Sequence, residues 1–112
     1  MTTTQESTAT ANARGEGFKA DAGKPDWTLF PFDGAEAVVR VLEAGARKYA
    51  RDNWRKVPNA IERYRGAGMR HAIADAMGEE NDPETGLPHL AHAVCCHLFV
   101  LALKRSNGGT RP

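Results

Sequence analysis

At 112 residues, with 41% hydrophobic and 26% charged residues, the chain has the size and balance of one small globular domain. A formal net charge of +1 excludes a global field that would demand a nucleic-acid or membrane partner, so electrostatic preference must come from local clusters. The two cysteines, Cys95 and Cys96, are neighbours whose side chains would point about 100° apart on a helix, so they read as small buried hydrophobes in a reducing compartment.

Residues 1–22 are rich in Thr, Ala, Ser and Gly, and predict a disordered tail. The tail lacks the continuous apolar region of a secretory signal. The following GKPDWTLFPFDG, with two prolines and three aromatics, predicts an extended arm that packs its aromatics onto the domain. Asp33 can cap a first helix, with Glu36 completing a capping-box pattern. Ala35, Val38, Val39, Leu42 and Ala46 then recur at helical spacing to about Tyr49. Asn59 and Glu62 repeat the cap signature for a second helix, which Gly66 and Gly68 weaken and Gly78 stops near Met77. Pro88 suits the first turn of a third helix, which runs to about Lys104 before the polar end SNGGTRP.

No stretch alternates as a strand does. The expected fold is therefore all-α: a small bundle of three main helices with an extended N-terminal arm. A single helical domain would cover 23–105, with a flexible C-terminal tail over 106–112. The longest apolar run, 91–103, is interrupted by His92 and His97 and is too short for a bilayer, so a cytoplasmic location without membrane contact follows. The third helix is apolar around most of its circumference: Leu90, Val94, Leu98 and Leu101 mark one side, and Cys95, Phe99 and Ala102 extend it. Two partner helices cannot cover all of that surface, so a homodimer or higher homo-oligomer is expected.

Two constellations carry chemistry. On the second helix His71, Asp75 and Glu79 stand at i, i+4 and i+8; on the third, His89 and His92 stand at i and i+3. Four carboxylates, Glu79, Glu80, Asp82 and Glu84, fall within six residues of the connection. A tight antiparallel connection would bring these groups together, making Asp75, Glu79, Asp82, His89 and His92 candidate ligands of a divalent cation. The alternative is a solvated acidic loop, with His92 a hydrogen-bonded core histidine. His97 lies about 80° around the helix from His89, off this stripe, and reads as structural or exposed.

The second constellation is EAGARKYARDNWRK, which sets Arg47, Lys48, Arg51, Arg55 and Lys56 around Tyr49 and Trp54. Cations beside flat aromatics can hold phosphates and stack a base, although a basic helix end with Trp54 covering the core would look the same. Arg70 can reach a phosphate or pair with the acidic turn. Together the constellations suggest a phosphorylated nucleotide.

The Lys24-Pro25 arm with Trp27, Gly45-Ala46, Lys48-Tyr49, Asn53-Trp54, Arg70-His71, Gly78-Glu79, Asp82-Pro83-Glu84 and Gly86-Leu87-Pro88-His89-Leu90-Ala91-His92-Ala93 follow one another in an order that resembles a phage-encoded family, the N-terminal-type domain of dATP/dGTP diphosphohydrolase. The resemblance covers about residues 23–103. It implies a metal-dependent hydrolase, with Mg²⁺ or Mn²⁺, that splits a purine deoxynucleoside triphosphate into the monophosphate and pyrophosphate in the host cytoplasm. If the chain is such an enzyme, the groups gathered at the helix connection, His71, Asp75, Glu79, His89 and His92, are the expected catalytic residues. Lys48, Tyr49, Asn53, Trp54, Arg55 and Arg70 would bind substrate. The chain is also distantly similar to MazG-like all-α pyrophosphohydrolases, whose E-x-x-E and E-x-x-D motifs it replaces with Arg70-His71, Asp75 and His89-x-x-His92. The competing reading is a non-catalytic phage protein that sequesters a nucleotide; a DNA-associated helical protein is less consistent with the charge.

Overall fold

A computed structural model describes residues 15–107. Residues 1–14 and 108–112, which hold most of both expected tails, lie outside the described residues. The chain divides into two compact units, Met1–Phe30 and Pro31–Pro112.

In the first unit, Trp27–Leu29 form one turn of 3-10 helix. The Asp26 carboxylate caps it, accepting from the Thr28 N–H at 3.1 Å and from the Thr28 hydroxyl. The arm expected to be extended is thus coiled at Trp27, because the cap at Asp26 satisfies the donors that an extended chain would leave to water. Trp27 and Phe30 meet edge to face, with centroids 6.2 Å apart.

The second unit holds three helices: α1 (Phe32–Lys48), α2 (Ala60–Ala76) and α3 (His89–Ser106). One 3-10 turn, Asn53–Lys56, lies between α1 and α2. Among the described residues there is no strand, only an isolated bridge between Asn81 and Pro88. The fold is all-α.

The ends differ in detail from the capping boxes expected. The Pro31 carbonyl accepts from the N–H groups of Gly34 and Ala35 at 3.1 and 3.0 Å, so α1 starts two residues early and draws Asp33 into its first turn. Asp33 then bonds the adjacent Gly34 N–H, while Glu36 turns to Arg40. Asn59 does occupy the cap position of α2, but with a left-handed backbone (φ 54°) and no side-chain cap bond. Pro88 precedes α3 rather than opening it.

The C-terminus of α2 closes as sequence suggests. Gly78 takes φ 103°, its N–H bonds the Asp75 carbonyl, and the Glu79 N–H bonds the Ala74 carbonyl, both at 3.0 Å. This is the Schellman pattern, and glycine supplies its left-handed residue.

Helix α3 is the common partner: it packs along α2 and over a shorter stretch against α1. Val38 and Val41 of α1 meet Ala91 and Cys95 of α3 in the core, flanked by Leu42, Leu87 and Phe99. Between α2 and α3 the approach is close at Gly68, where a Cβ would stand 3.2 Å from Cys96 Cβ and 2.9 Å from His97 Nε2. His97 is exposed there.

Leu90, Val94, Leu98 and Leu101 are 47–56% exposed. Met69 and Ile73 on α2, and Met77 at its C-terminal cap, are exposed as well. Counted at about 100° per residue from the contact line, both sets fall on one side of the antiparallel α2–α3 pair, the side away from α1.

Candidate active site

The connection between α2 and α3 builds the site. After the Gly78 reversal, the Glu80 carbonyl accepts from the His89 N–H at 2.8 Å, and the Leu87 carbonyl accepts from the Asp82 N–H at 2.8 Å. Inside this loop, Asp82 Oδ2 accepts from the N–H groups of Glu84 and Thr85 at 3.1 and 2.9 Å, and from the Thr85 hydroxyl at 3.2 Å. One carboxylate oxygen is thereby committed to the turn, an arrangement open to Asp because its side chain bonds backbone two and three residues on.

The imidazoles converge where α2 ends and α3 begins. His71 and His89 bring their Nδ1 atoms to 2.8 Å. His89 is 5% exposed, and its Nε2 lies 2.7 Å from Glu79 Oε1. An ionised carboxylate only accepts, so His89 donates from Nε2 and keeps its lone pair on Nδ1; the proton between the two rings then belongs to His71. His92, one turn along α3, stacks on His71 with centroids 4.6 Å apart and 16° between planes. Its Nε2 is 2.7 Å from the Thr85 hydroxyl and 3.9 Å from Asp82 Oδ2.

Burial, reinforced by the neighbouring His92 and His89, holds His71 below the ordinary histidine value; Asp82 opposes the shift. Burial also lowers His92, against the pull of Asp82. Burial works against ionisation of Asp82, but the Thr85 hydrogen bonds and the charges of His92 and His71 outweigh it, and its carboxyl sits below the usual range. These shifts favour neutral rings at His71 and His92 and an anionic carboxylate at Asp82.

One ligand atom each from His71, Asp82 and His89 lies within 4.8 Å of the others. Two imidazole nitrogens and a carboxylate oxygen are a donor set that fits a divalent ion. Of the residues read as ligands or catalysts in the sequence, His71, His89, His92 and Asp82 are brought together. Glu79 lies beyond the end of α2, not on its stripe, and binds the far nitrogen of His89. Asp75 is half-buried and outside the group, and its carboxylate makes no hydrogen bond or ion pair among the described residues.

The second constellation faces the same space. A cavity of about 720 Å³ is lined by His71, Asp82, Thr85 and His92 as well as by Lys48, Tyr49, Asn53 and Trp54. Its volume is that of a small-molecule site. Lys48 pairs with Glu84 and lies 5.2 Å from the Tyr49 ring centroid; Tyr49 itself is 64% exposed. Trp54 stacks on Phe99 at 4.2 Å and 11°, and the Arg55 guanidinium stands 4.2 Å from the same Trp54 centroid. Two groups that close take opposite faces, so Trp54 presents no free face. Arg55 also approaches Asp52 at 3.8 Å. Arg70 is exposed, lies back over Gly66 and does not line the cavity.

Two lining residues stand out only in three dimensions. Arg51 lines the cavity with no hydrogen bond or ion pair among the described residues. Thr85 ties Asp82 to His92; the Asp-x-x-Thr spacing of a side-chain-closed turn is its trace in the sequence.

With the fold and cluster in place, comparison with known proteins is informative. Residues 14–111 match the family described as dATP/dGTP diphosphohydrolase, N-terminal. The chain belongs to that family. A dATP/dGTP diphosphohydrolase of Salmonella phage PMBT28 is 39% identical over 87 residues, a match covering 78% of this chain and 29% of the relative. The chain therefore spans under a third of the relative's length. No solved structure matches the chain. Among the described residues no helix is long and apolar enough to cross a membrane.

Proposed function

We propose that the chain is a divalent-metal-dependent nucleotide hydrolase that converts a purine deoxynucleoside triphosphate, dATP or dGTP, and water into the monophosphate and pyrophosphate. The observation that carries this reading is one cavity bordered both by the imidazole–carboxylate cluster and by the basic, aromatic turn after α1. The name of the phage relative supports the substrate class.

His71, Asp82 and His89 would hold the ion, Mg²⁺ or Mn²⁺, the nitrogen donors favouring Mn²⁺ of the two. Bound there, such an ion supplies positive charge against the phosphates and lowers the pKa of water. The protein's own residues do the rest. Glu79 fixes the ring and tautomer of His89, and the 82–85 turn fixes Asp82. His92 has Nδ1 outside any hydrogen bond among the described residues and is held neutral, which suits it to take a proton from attacking water. Arg51 meets phosphate directly, and Lys48 does so by leaving Glu84. Asp75 is omitted from the ligand set because it stands outside the converging group. We infer further that a second copy of the chain covers the apolar side of α2 and α3.

Incubating the purified protein with each dNTP and Mg²⁺ or Mn²⁺, and resolving products by chromatography, tests this reading. Deoxynucleoside monophosphate with equimolar pyrophosphate supports it. Diphosphate with phosphate, or tight binding without turnover, contradicts it; the latter selects the sequestering protein.

A further inference from the structure

The 720 Å³ cavity has a neighbour. A second hollow of about 480 Å³ adjoins it, and Glu43, Ala44, Lys48, Glu84 and Thr85 line both. The Lys48–Glu84 ion pair thus stands on the boundary. Thr85, on the same shared wall, has its hydroxyl 2.7 Å from His92 Nε2, so the smaller hollow meets the imidazole cluster there. The two linings differ in chemistry. Tyr49, Trp54, Tyr64 and Phe99 face the larger. The smaller has no aromatic residue, and to the shared wall it adds Arg40, Arg47 and Leu87.

Both carboxylates of the smaller hollow are already matched, Glu43 by Arg40 and Glu84 by Lys48. Arg47 is the cation left over: it is exposed, and its guanidinium makes no hydrogen bond or ion pair among the described residues. Arg51 follows four residues later, which in a continuous helix would set it on the same face. Helix α1 ends at Lys48, however, and Arg51 lines the larger cavity instead. The helix end therefore assigns its two unpaired arginines to different hollows. Hydrolysis at an α-phosphorus needs such a division, and the inference rests on that proposed reaction. The water oxygen bonds to phosphorus and its proton passes to the base; the bond to the β-phosphate breaks, its electron pair leaving with pyrophosphate. In an in-line displacement the two products lie on opposite sides of the reacting phosphorus. The geometry points to the smaller hollow as the site of the β,γ-diphosphate and of product pyrophosphate. Arg47 holds it there and Lys48 meets it at the boundary, while the nucleoside and its α-phosphate stay in the aromatic cavity with Arg51.

Calorimetry in EDTA with inorganic pyrophosphate and with dGMP tests this apart from metal and turnover, so its outcome is separate from that of the hydrolase reading. On wild type, saturating dGMP should leave pyrophosphate affinity unchanged to within about twofold, because the two occupy different hollows. The ratio of pyrophosphate to dGMP affinity should fall about tenfold or more in Arg47→Gln, the loss of one charge-assisted contact, and should rise in Arg51→Gln. Far-ultraviolet helicity identifies a misfolded variant, and the competition on wild type needs no variant at all. Mutually exclusive binding of pyrophosphate and dGMP, no pyrophosphate binding, or an unchanged ratio in either folded variant overturns the proposal.

Discussion

Glu79 reaches the imidazoles only because the chain reverses just before it. On the page it extends the His71–Asp75 stripe by one more turn; in the molecule Gly78 ends α2 and swings Glu79 to the outer nitrogen of His89. The histidines were legible because spacing on adjoining helices survives folding, whereas Glu79 and Thr85 depend on turn geometry that no periodicity encodes. Glu79→Gln keeps the shape but weakens the hold on His89, and should lower dNTP turnover about 10- to 100-fold, as measured by pyrophosphate release. His71 and His92 bind protons more weakly folded than unfolded. Their contribution to stability is therefore complete above the ordinary value of 6.5 and is lost as pH falls through their lower folded values. Asp82 adds a loss of the same sign below its ordinary 3.8. The Tm of metal-free protein should fall steadily from about pH 7 to pH 5, and a flat or rising profile would count against the buried cluster. Burial pushes the Cys95 thiol up to about 12 and raises Cys96 too, so neither should react with a thiol reagent at neutral pH until the protein is unfolded.

At the scale of elements, apolar periodicity located all three helices to within a residue or two, because the core takes up marked positions of α1 and α3, Val38 and Cys95 buried and Leu42 and Phe99 packed against them. The caps were less legible: which residue starts a helix depends on which carbonyl collects the first N–H groups, and Pro31 took that role from Asp33. The two glycines inside α2 look equivalent by propensity and are not. A Cβ at Gly66 would meet only Arg70 Nη1, at 3.4 Å, while one at Gly68 would press on α3. Gly66→Ala should stabilise the fold by up to about 1 kcal/mol through helix propensity. Gly68→Leu should destabilise it by about 1–3 kcal/mol through overpacking. Denaturant midpoints of the two variants check both signs.

For the molecule as a whole, the sequence suggested that two partner helices could not cover α3, and the exposed Leu90–Val94–Leu98–Leu101 side agrees. A second copy on that face predicts a dimer or higher species by light scattering, and a monomer for Val94→Glu with Leu98→Glu; a wild-type monomer would refute the pairing. What sequence could not convey is that the two constellations border one cavity, since that follows from how α1 and the Asn53–Lys56 turn sit beside α3. The central claim is that the imidazole cluster is the reaction centre. The most direct test is the initial rate of pyrophosphate release from dATP in Mn²⁺ by wild type and by His89→Ala of matched helicity. The account predicts a loss of more than about a hundredfold in the variant, beyond that for an outer partner such as Glu79. A folded His89→Ala that turns over dATP like wild type would contradict it.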